Sequence, residues 1–292
     1  MKLITVFTPT YNRAFCLEQV YNSLVEQTNK DFLWLIIDDG STDDTSDLVQ
    51  VWIDQKKLEI NYIFQENTGM HGAHNTAYSN IKTELNVCID SDDFMSNNAI
   101  ESIIKLWKDK ASATTAGIIG LDAYKNGNII GDIIPENITH STLEDIYNKH
   151  KITGDKKLVI RTDVVKKFPS YPLYKGEKLV PLGTLYLLID QQYHWICTNT
   201  VLCIVEYLEE GSSRNIFKQY RISPNGFGYS RLLRIQYSKS YLEKFKNAIH
   251  LVSSALFAKK VSLLLKSSNL WLTFFSLPFG VFFHLYIRYK TR

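Results

Sequence analysis

Apolar runs that stop at polar clusters are the feature of this sequence that most constrains its fold. Three such runs occupy residues 3–7, 33–37 and 85–89, and turn-forming residues bound each of them. Segments with apolar residues at helical spacing follow these runs. Strands that alternate with helices predict a mostly parallel sheet with helices on both faces, so the fold class is α/β.

The polar clusters lie at residues 8–13, 38–45 and 90–93, directly after the three runs. Ligands of open parallel sheets bind beyond the carboxyl ends of the strands. We therefore expect the three clusters to be neighbours in space, although they are far apart in sequence.

The third cluster is acidic and consists of Asp90, Ser91, Asp92 and Asp93. Three acids within four residues repel one another, so a fold that collects them at a strand end favours a divalent cation beside them. The alternative is a turn that also caps the amphipathic helix expected to begin near Asn97.

Four motifs together resemble those of a known family. They read Pro-Thr-Tyr-Asn-Arg at 9–13, Asp-Asp-Gly-Ser-Thr-Asp at 38–43, Asn-Thr-Gly at 67–69 with Ala-His-Asn at 73–75, and Asp-Ser-Asp-Asp at 90–93. In this order and spacing they resemble the large inverting family of GT-A nucleotide-sugar glycosyltransferases that build bacterial polysaccharides, the family 2 type. The resemblance is clear over residues 1–120 and weaker to about residue 215. It implies a Rossmann-like, mostly parallel sheet with flanking helices.

The resemblance implies a nucleotide-sugar site around the first two clusters. It places Thr8, Tyr11 and Arg13 around the base and ribose, where an aromatic ring can pack on the base and a guanidinium can meet phosphate or ribose. A half-buried turn tyrosine is the alternative for Tyr11. Asp39 is the counterpart of the carboxylate that accepts from the uracil or ribose. We interpret its neighbour Asp38 as structural.

For the third cluster, the resemblance implies that Asp90 touches the ribose and that Asp92 binds Mg²⁺ or Mn²⁺. Hard cations suit carboxylate oxygens and diphosphates. Asp93 is either an additional ligand or a cap. His74 occupies the place of a pyrophosphate-facing arginine in many relatives, and a buried helix histidine is the alternative interpretation.

The catalytic base is where the sequence departs from the family pattern. Direct displacement at the anomeric carbon needs a carboxylate that deprotonates the acceptor hydroxyl. The matching position, just ahead of a helix, is Leu182. Glu177 is therefore the predicted base, with a solvated loop acid paired with Lys178 as the alternative. Asp190 and Glu210 are the next candidates for the catalytic base.

A polar loop at residues 206–213 resembles the one that closes over the donor in relatives, although a metal-binding histidine that some relatives place near it is missing. Because Leu182 stands where the catalytic acid is expected, a catalytically silent nucleotide-sugar-binding module remains an alternative function. A nucleotidyltransferase would instead need a glycine-rich basic motif after the first strand, and residues 9–13 do not form one.

Charge is distributed unevenly along the chain. Residues 214–292 contain 14 lysines and arginines and one acid, a net charge of +13, whereas the remainder has 19 basic and 29 acidic residues. We expect residues 1–213 to form the GT-A catalytic domain and residues 214–292 a basic, helical, apolar appendage.

The apolar run at residues 270–287 precedes three further basic residues. It is interrupted by Pro278, Gly280 and His284, and it is shorter than the roughly 20 apolar residues of a bilayer-spanning helix. We expect it to lie in the membrane interface or to enter as a re-entrant hairpin, held to anionic lipid by its basic neighbours. A core-packing helix pair is the alternative.

Composition completes the expected picture. The chain has 292 residues with 45% hydrophobic content and four scattered cysteines, as expected of a reducing compartment, and it begins with a strand instead of a signal peptide. We expect a peripheral or monotopic enzyme at the cytoplasmic face of the cell membrane. Its expected partners are a nucleotide-sugar donor, favouring UDP, a lipid-linked glycan acceptor and an anionic membrane surface, but no nucleic acid. The oligomeric state is left open.

Overall fold

The computed structural model describes residues 2–206 and 215–292. Its strands are β1 (Ile4–Thr10), β2 (Phe32–Asp38), β3 (Ile60–Phe64), β4 (Leu85–Cys88), β5 (Phe94–Met95), β6 (Thr115–Tyr124), β7 (His140–Ser141), β8 (Lys156–Arg161) and β9 (His194–Val205). Its helices up to β9 are α1 (Ala14–Val25), α2 (Thr45–Gln55), α3 (Met70–Asn80), α4 (Ala99–Lys110), α5 (Leu143–Asn148), α6 (Thr162–Val165) and α7 (Gly183–Ile189). Five helices and one 3₁₀ turn follow in the described residues after β9: α8 (Ile216–Ile222), α9 (Pro224–Tyr237), α10 (Tyr241–Phe257), the 3₁₀ turn Val261–Lys266, α11 (Leu270–Phe275) and α12 (Leu277–Lys290).

Nine strands of the described chain form one sheet in the order β3-β2-β1-β4-β8-β6-β9-β5, with β7 paired to β9. The pairs β3–β2, β2–β1 and β1–β4 are parallel. The predicted alternation of strands and helices is confirmed over this half of the sheet. The carboxyl ends of β1, β2 and β4 therefore share one edge.

The other half of the sheet is mixed. Strand β8 runs antiparallel to both β4 and β6, and β9 is parallel to β6 but antiparallel to β5. The α/β fold class is confirmed, and the sheet as a whole is mixed. The apolar pattern could not show this, because buried parallel and antiparallel strands have similar compositions.

The apolar positions that sequence spacing predicted on α4 form part of the core around the sheet. Ile100, Ile103, Ile104 and Trp107 of α4 are buried against it, together with apolar residues of β1, β2 and β4. The ring of Tyr21 on α1 stacks on Trp52 of α2 with a centroid separation of 4.5 Å. This packing joins the two helices that follow the first two polar clusters.

The described residues divide into two compact units. The first comprises residues 2–67, 73–169 and 192–206 and holds the sheet, whereas the second comprises residues 68–72, 170–191 and 215–292. The predicted boundary between residues 213 and 214 falls in the undescribed part of the chain and stays a prediction.

Within the second unit, α10 lies against α9, α11 and α12, and a small core forms around Ile235, Leu251, Val252 and Leu264. The apolar run at residues 270–287 thus forms α11 and most of α12. Over the residues that the structure describes, no helix is both long and apolar enough to cross a membrane.

Candidate active site

Hydrogen bonds join the loops that follow β1 and β2. The Asp39 N–H donates to Thr10 O over 2.8 Å, and the Asn12 N–H donates to Ser41 Oγ over 2.9 Å. In return, Asn12 Oδ1 accepts from the Thr42 N–H at 2.7 Å. Asn12 has a φ of 52°, a left-handed conformation that asparagine tolerates better than most residues. The first two polar clusters are therefore joined into one hydrogen-bonded assembly.

Asp43 strengthens this assembly. Its carboxylate accepts from the Ala14 N–H at the start of α1 and from both the backbone and the hydroxyl of Thr45 at the start of α2. Burial would raise the pKa of Asp43, but these hydrogen bonds outweigh burial and hold the pKa below its usual range. Asp43 thus bridges the first turns of two helices.

Asp38 has the structural role that the sequence favoured. It is fully buried, and its carboxylate accepts from the Ser41 N–H at 2.7 Å and from the Tyr62 hydroxyl at 2.6 Å. Burial, and next the hydrogen bond to Asp38, raise the pKa of Tyr62. The side chain therefore holds the turn and the edge strand β3 together.

Asp39 lies one residue further on, at the sheet edge. Its Oδ1 accepts from Gln65 Nε2 at 2.7 Å, which fixes the orientation of the carboxylate. Gly40 follows with a φ of 87°, and a Cβ there would lie 3.0 Å from the Asn67 backbone nitrogen. Only glycine accommodates both the left-handed backbone and this close approach.

The acidic cluster forms a tight turn at the end of β4. The Asp93 N–H donates to Asp90 O over 3.0 Å, and Gln19 Nε2 of α1 donates to Asp92 O over 2.6 Å. Asp92 remains partly exposed. Burial raises the pKa of Asp92, the charge of Asp90 raises it further, and Arg13 from the first cluster opposes the shift. The first and third clusters therefore interact electrostatically.

Asp93 turns away from Asp92 toward the strands behind the turn. Its Oδ2 lies 3.9 Å from Lys157 Nζ on β8, and its Oδ1 accepts from the Glu206 N–H at 3.3 Å. Burial raises the pKa of Asp93 to about 7, although Lys157 lowers it. Asn98, not Asp93, stands at the N-terminus of α4. Asp93 is thus a buried ion-pair partner, which neither of the sequence-based alternatives described.

Lys157 and Asp122 were not anticipated from the sequence. Burial would lower the pKa of Lys157, but Cys203, Asp122 and Asp90 together raise it well above its usual value. Asp122 on β6 is buried, and its Oδ1 has no hydrogen-bond partner in the described structure. A charged residue inside an otherwise apolar strand was the available signal, since such a residue needs a buried partner.

The three residues predicted around the base and ribose differ in their surroundings. Tyr11 is 49% exposed, and the Arg13 guanidinium lies over the Phe15 ring at 5.6 Å. Thr8 is fully buried in β1, where its hydroxyl accepts from Trp34 Nε1 at 3.0 Å. The hydroxyl of Thr10, at the strand end, is buried without a partner in the described part of the chain. The Trp34 contact thus occupies the Thr8 hydroxyl that the resemblance placed near the base and ribose.

His74 has the surroundings of a buried helix histidine. Its Nδ1 lies 3.2 Å from the Tyr78 hydroxyl, its Nε2 lies 3.7 Å from Cys88 Sγ, and its ring meets Phe7 edge-on at 5.0 Å. The Cys88 thiol in turn donates to Asp90 Oδ1 over 3.7 Å. His74 thus reaches the acidic turn through Cys88, and its contact with a pyrophosphate stays a prediction.

Glu177 is buried, unlike the solvated loop acid considered as its alternative. Its Oε1 accepts from the Asn225 N–H at 3.0 Å and from Asn225 Nδ2 at 2.5 Å, while Oε2 accepts from the Gly226 N–H at 2.8 Å. The carboxylate therefore satisfies the first turn of α9. This structural use competes with the predicted role of Glu177 as base.

Leu182 directly precedes α7. The sequence predicted that the position where relatives carry the catalytic acid would lie just ahead of a helix. Asp190 follows the same helix and is buried, whereas Glu210 and most of the predicted donor loop lie outside the described residues.

The acidic turn has the charge that a divalent cation requires. In the described chain, Arg13 and Lys157 lower the pKa of Asp92, whereas Asp122, Asp90 and Asp93 help to raise the pKa of Lys157. No group of three histidine, cysteine or acidic side chains there is arranged to hold a metal by itself. The donor set fits a Mg²⁺-type ion that is held by one or two carboxylates together with the phosphates of a substrate.

Solved structures of similar fold define the class as GT-A. Residues 1–349 of Staphylococcus aureus TarS, solved in complex with UDP-GlcNAc, superpose with a TM-score of 0.63 at 18% identity, covering 96% of this chain and 81% of that one. The mannosyltransferase PcManGT from Pyrobaculum calidifontis, in complex with GDP-Man and Mn²⁺, superposes with a TM-score of 0.58 at 18% identity, covering 99% and 82%.

The glycosyl transferase family 2 model matches residues 5–164, and the chain belongs to that family. TuaG of Bacillus subtilis strain 168, named provisionally as a teichuronic acid biosynthesis glycosyltransferase, is 24% identical over 254 residues, covering 85% of this chain and 96% of TuaG. The glycosyltransferase GlyA of Streptococcus pneumoniae is 32% identical over 102 residues, and an uncharacterised glycosyltransferase of Nostoc is 30% identical over 118 residues. These two matches span only 14% and 35% of the relatives' own lengths.

Proposed function

We propose that the chain transfers a sugar, with inversion, from a nucleoside diphosphate donor to a lipid-linked glycan during surface polysaccharide biosynthesis. UDP is the proposed nucleotide. The reaction takes place at the cytoplasmic face of the cell membrane, where a lipid-linked acceptor would be presented. The teichuronic acid biosynthesis named for TuaG supports a role in polysaccharide biosynthesis, and the complex of TarS with UDP-GlcNAc supports a UDP-sugar donor.

One observation carries this proposal. The partly exposed Asp92 lies in an acidic turn at the same sheet edge as the bonded loops after β1 and β2, and Arg13 acts electrostatically on it. This arrangement supports the proposal because aromatic, cationic and anionic groups together suit the base, ribose and phosphates of a nucleoside diphosphate.

The residues of this edge have complementary roles in the proposal. Tyr11 packs on the base, Asp39 accepts from the uracil or ribose in the orientation set by Gln65, and Asp90 accepts from the ribose. Arg13 supplies positive charge beside the phosphates. These contacts bind and orient the donor.

Asp92 would hold Mg²⁺ or Mn²⁺ together with the donor diphosphate. Such an ion neutralises the charge that develops on the leaving nucleoside diphosphate. The Mn²⁺ in the PcManGT complex supports this choice.

Glu177 remains the proposed base, with Asp190 and Glu210 as the other candidates. A second function, a catalytically silent nucleotide-sugar-binding module, is favoured by Leu182 and by the hydrogen bonds that engage both oxygens of Glu177. Both functions share the donor site and differ only in turnover.

A panel of nucleotide sugars, tested for hydrolysis and for binding in the presence of Mn²⁺, separates the two functions. Release of the nucleoside diphosphate from one donor, abolished by EDTA, is the result expected of the enzyme. Calorimetric binding of a donor without release identifies the silent module. If no nucleotide sugar binds in the presence of Mn²⁺, both proposals are wrong.

A further inference from the structure

Helices α11 and α12 present a row of aromatic side chains outward. The backbone of Ser276 is helical, and its N–H donates to Leu272 O over 3.0 Å, so the two helices form a nearly continuous rod. At 1.5 Å per residue this rod is about 30 Å long. Four aromatic side chains on it are 68% to 89% exposed: Trp271, Phe275, Phe282 and Tyr289. We call these four residues the outward aromatic face.

These four residues share one side of the rod. At about 100° per residue their directions fall within roughly 40° of one another. Leu285, which is 54% exposed, extends the same stripe. The stripe is therefore continuous along the rod and is not a scatter of single exposed residues.

The opposite side of the rod packs against α10 and combines small residues with apolar ones. Thr273, Ser276, Gly280 and Ile287 are buried there. A Cβ on Gly280 would lie 2.4 Å from Val252 Cβ and 2.8 Å from Ile249 O, so the two helix backbones are in close approach.

A helix on a water-soluble surface turns polar residues outward, whereas this rod exposes a stripe of aromatic side chains on its outer side. Apolar residues on both sides of a helix, with a small residue where two helices approach most closely, are typical of helices in a lipid environment. A continuous exposed apolar stripe of this kind marks an interaction surface.

We propose that the outward aromatic face lies in the headgroup region of an anionic bilayer, with the rod parallel to the membrane plane. Aromatic rings favour the interface between headgroups and acyl chains, and a helix with one apolar face buries that face to a shallow depth. This membrane contact rests on the membrane location proposed above and specifies which surface meets the lipid. It does not depend on the donor chemistry.

The charge around the face is complementary to anionic lipid. Arg288 and Lys290 are exposed and point about 100° to either side of the aromatic stripe, so each flanks one edge of it. Such side chains can keep their charges among the headgroups while the rings enter the membrane. Glu243 is the only acid among described residues 215–292, against 13 lysines and arginines.

A second copy of the chain is the competing occupant of this face. A two-fold dimer through the stripe would bring two strongly basic segments together. Anionic lipid instead attracts each basic residue near its surface. The charge of the segment thus favours the bilayer over self-association.

Vesicle sedimentation of the full chain tests the proposal. The double variant Phe275→Ser with Phe282→Ser, called the outward variant, removes two rings of the outward aromatic face. The matched control, Val51→Ser with Ile133→Ser, removes two apolar side chains that are similarly exposed elsewhere. Binding is measured on phosphatidylcholine vesicles with and without phosphatidylglycerol, at low and high salt. Thermal unfolding and donor hydrolysis are followed in parallel.

We expect the wild type and the control to bind anionic vesicles equally, and the outward variant to bind about 30-fold more weakly at both salt concentrations. Arg288→Gln with Lys290→Gln should weaken binding by about 30-fold at low salt only, because the attraction between exposed charges is screened. Donor hydrolysis should be unchanged in all variants. If the wild type itself does not hydrolyse a donor, that result contradicts the proposed donor chemistry and not the membrane proposal.

Three results would overturn the inference. The first is equal vesicle binding by the outward variant and the control, and the second is failure of the wild type to bind anionic vesicles. The third is an oligomer of the wild type that the outward variant converts to monomer, which would assign the face to a second copy.

Discussion

Asp92 and Asp93 are adjacent in sequence, yet they have different surroundings. Asp92 is partly exposed and uses its backbone carbonyl for the Gln19 contact, whereas Asp93 is buried beside Lys157. A carboxylate that contacts solvent can serve a ligand, whereas one that compensates a buried lysine is part of the fold. The structure thus gives Asp93 a role different from the additional ligand or cap that the sequence left open, and it leaves Asp92 available to a ligand.

We predict that Asp92→Ala abolishes Mn²⁺-dependent UDP binding and leaves the melting temperature almost unchanged. Asp93→Asn should instead lower the free energy of unfolding by about 1–3 kcal/mol, because Lys157 loses a buried partner. Calorimetry and thermal unfolding of both variants measure the contrast. Unchanged Mn²⁺-dependent UDP affinity in Asp92→Ala would sink the assignment.

Glu177 allows a similar separation of roles. Glu177→Gln removes the charge that favours the three hydrogen bonds at the start of α9, and we expect a loss of about 1–2 kcal/mol of stability. If Glu177 is also the base, this variant loses transfer while its donor affinity is unchanged.

Asn225→Ala is the matched control for Glu177, because it removes the 2.5 Å contact but keeps the carboxylate. It should lose stability and retain transfer. Full transfer by Glu177→Gln would move the base to another acid, with Asp190 and Glu210 next.

At the scale of elements, α10 and α12 depend on one small residue. Gly280→Ala should destabilise the chain by about 1–3 kcal/mol, because the new methyl group meets both the Val252 side chain and the Ile249 carbonyl. Gly183→Ala on α7 is the control, since its nearest neighbour is the flexible end of Arg234 at 3.2 Å. Chemical denaturation measures both, and equal stabilities would contradict the close approach of α10 and α12.

The same group of helices holds a histidine whose titration affects stability. Burial and the nearby Arg231 lower the pKa of His250 to about 3, from an ordinary value of 6.5. Its ring contacts Phe283 at 4.4 Å and Tyr220 at 5.5 Å. The folded chain therefore holds His250 neutral at pH values where the unfolded chain would protonate it.

Because the folded-state pKa is lowered, the stability contributed by neutral His250 is complete above pH 6.5 and is lost as the pH falls toward 3. Between pH 6.5 and pH 5 the wild type should lose about 2 kcal/mol more than His250→Phe, which keeps a ring but cannot titrate. Denaturant unfolding at the two pH values measures this difference. Parallel pH profiles for the two proteins would show that His250 does not contribute.

At the scale of the whole molecule, the terminal rod belongs to the fold of the second unit as well as to its surface. Its inner side covers α10, so a chain shortened to residue 268 would expose the face that carries Val252. We expect the shortened chain to bind the dye ANS, to aggregate and to melt at a lower temperature. The full-length outward variant should do none of these. A shortened chain that is monomeric and as stable as the wild type would mean that the rod is dispensable for folding.

The alternation of apolar runs and helix-period segments determined the α/β class, the parallel half of the sheet and the position of the polar clusters. It could do so because strand and helix periods and the direction of parallel strands are local or topological properties. The charge count likewise identified the basic segment. The structural role of Asp38 was also predicted correctly, since a buried turn acid has obvious backbone partners.

The tertiary structure decided which side chain meets which. Asp93 pairs with Lys157, and the Thr8 hydroxyl accepts a hydrogen bond from Trp34. His74 lies beside Cys88, and Glu177 accepts hydrogen bonds from the start of α9. The structure also showed that the terminal run packs Gly280 against α10 and exposes the outward aromatic face. Each of these contacts joins residues brought together by strand order or helix packing, and spacing along one chain carries no information about such partners.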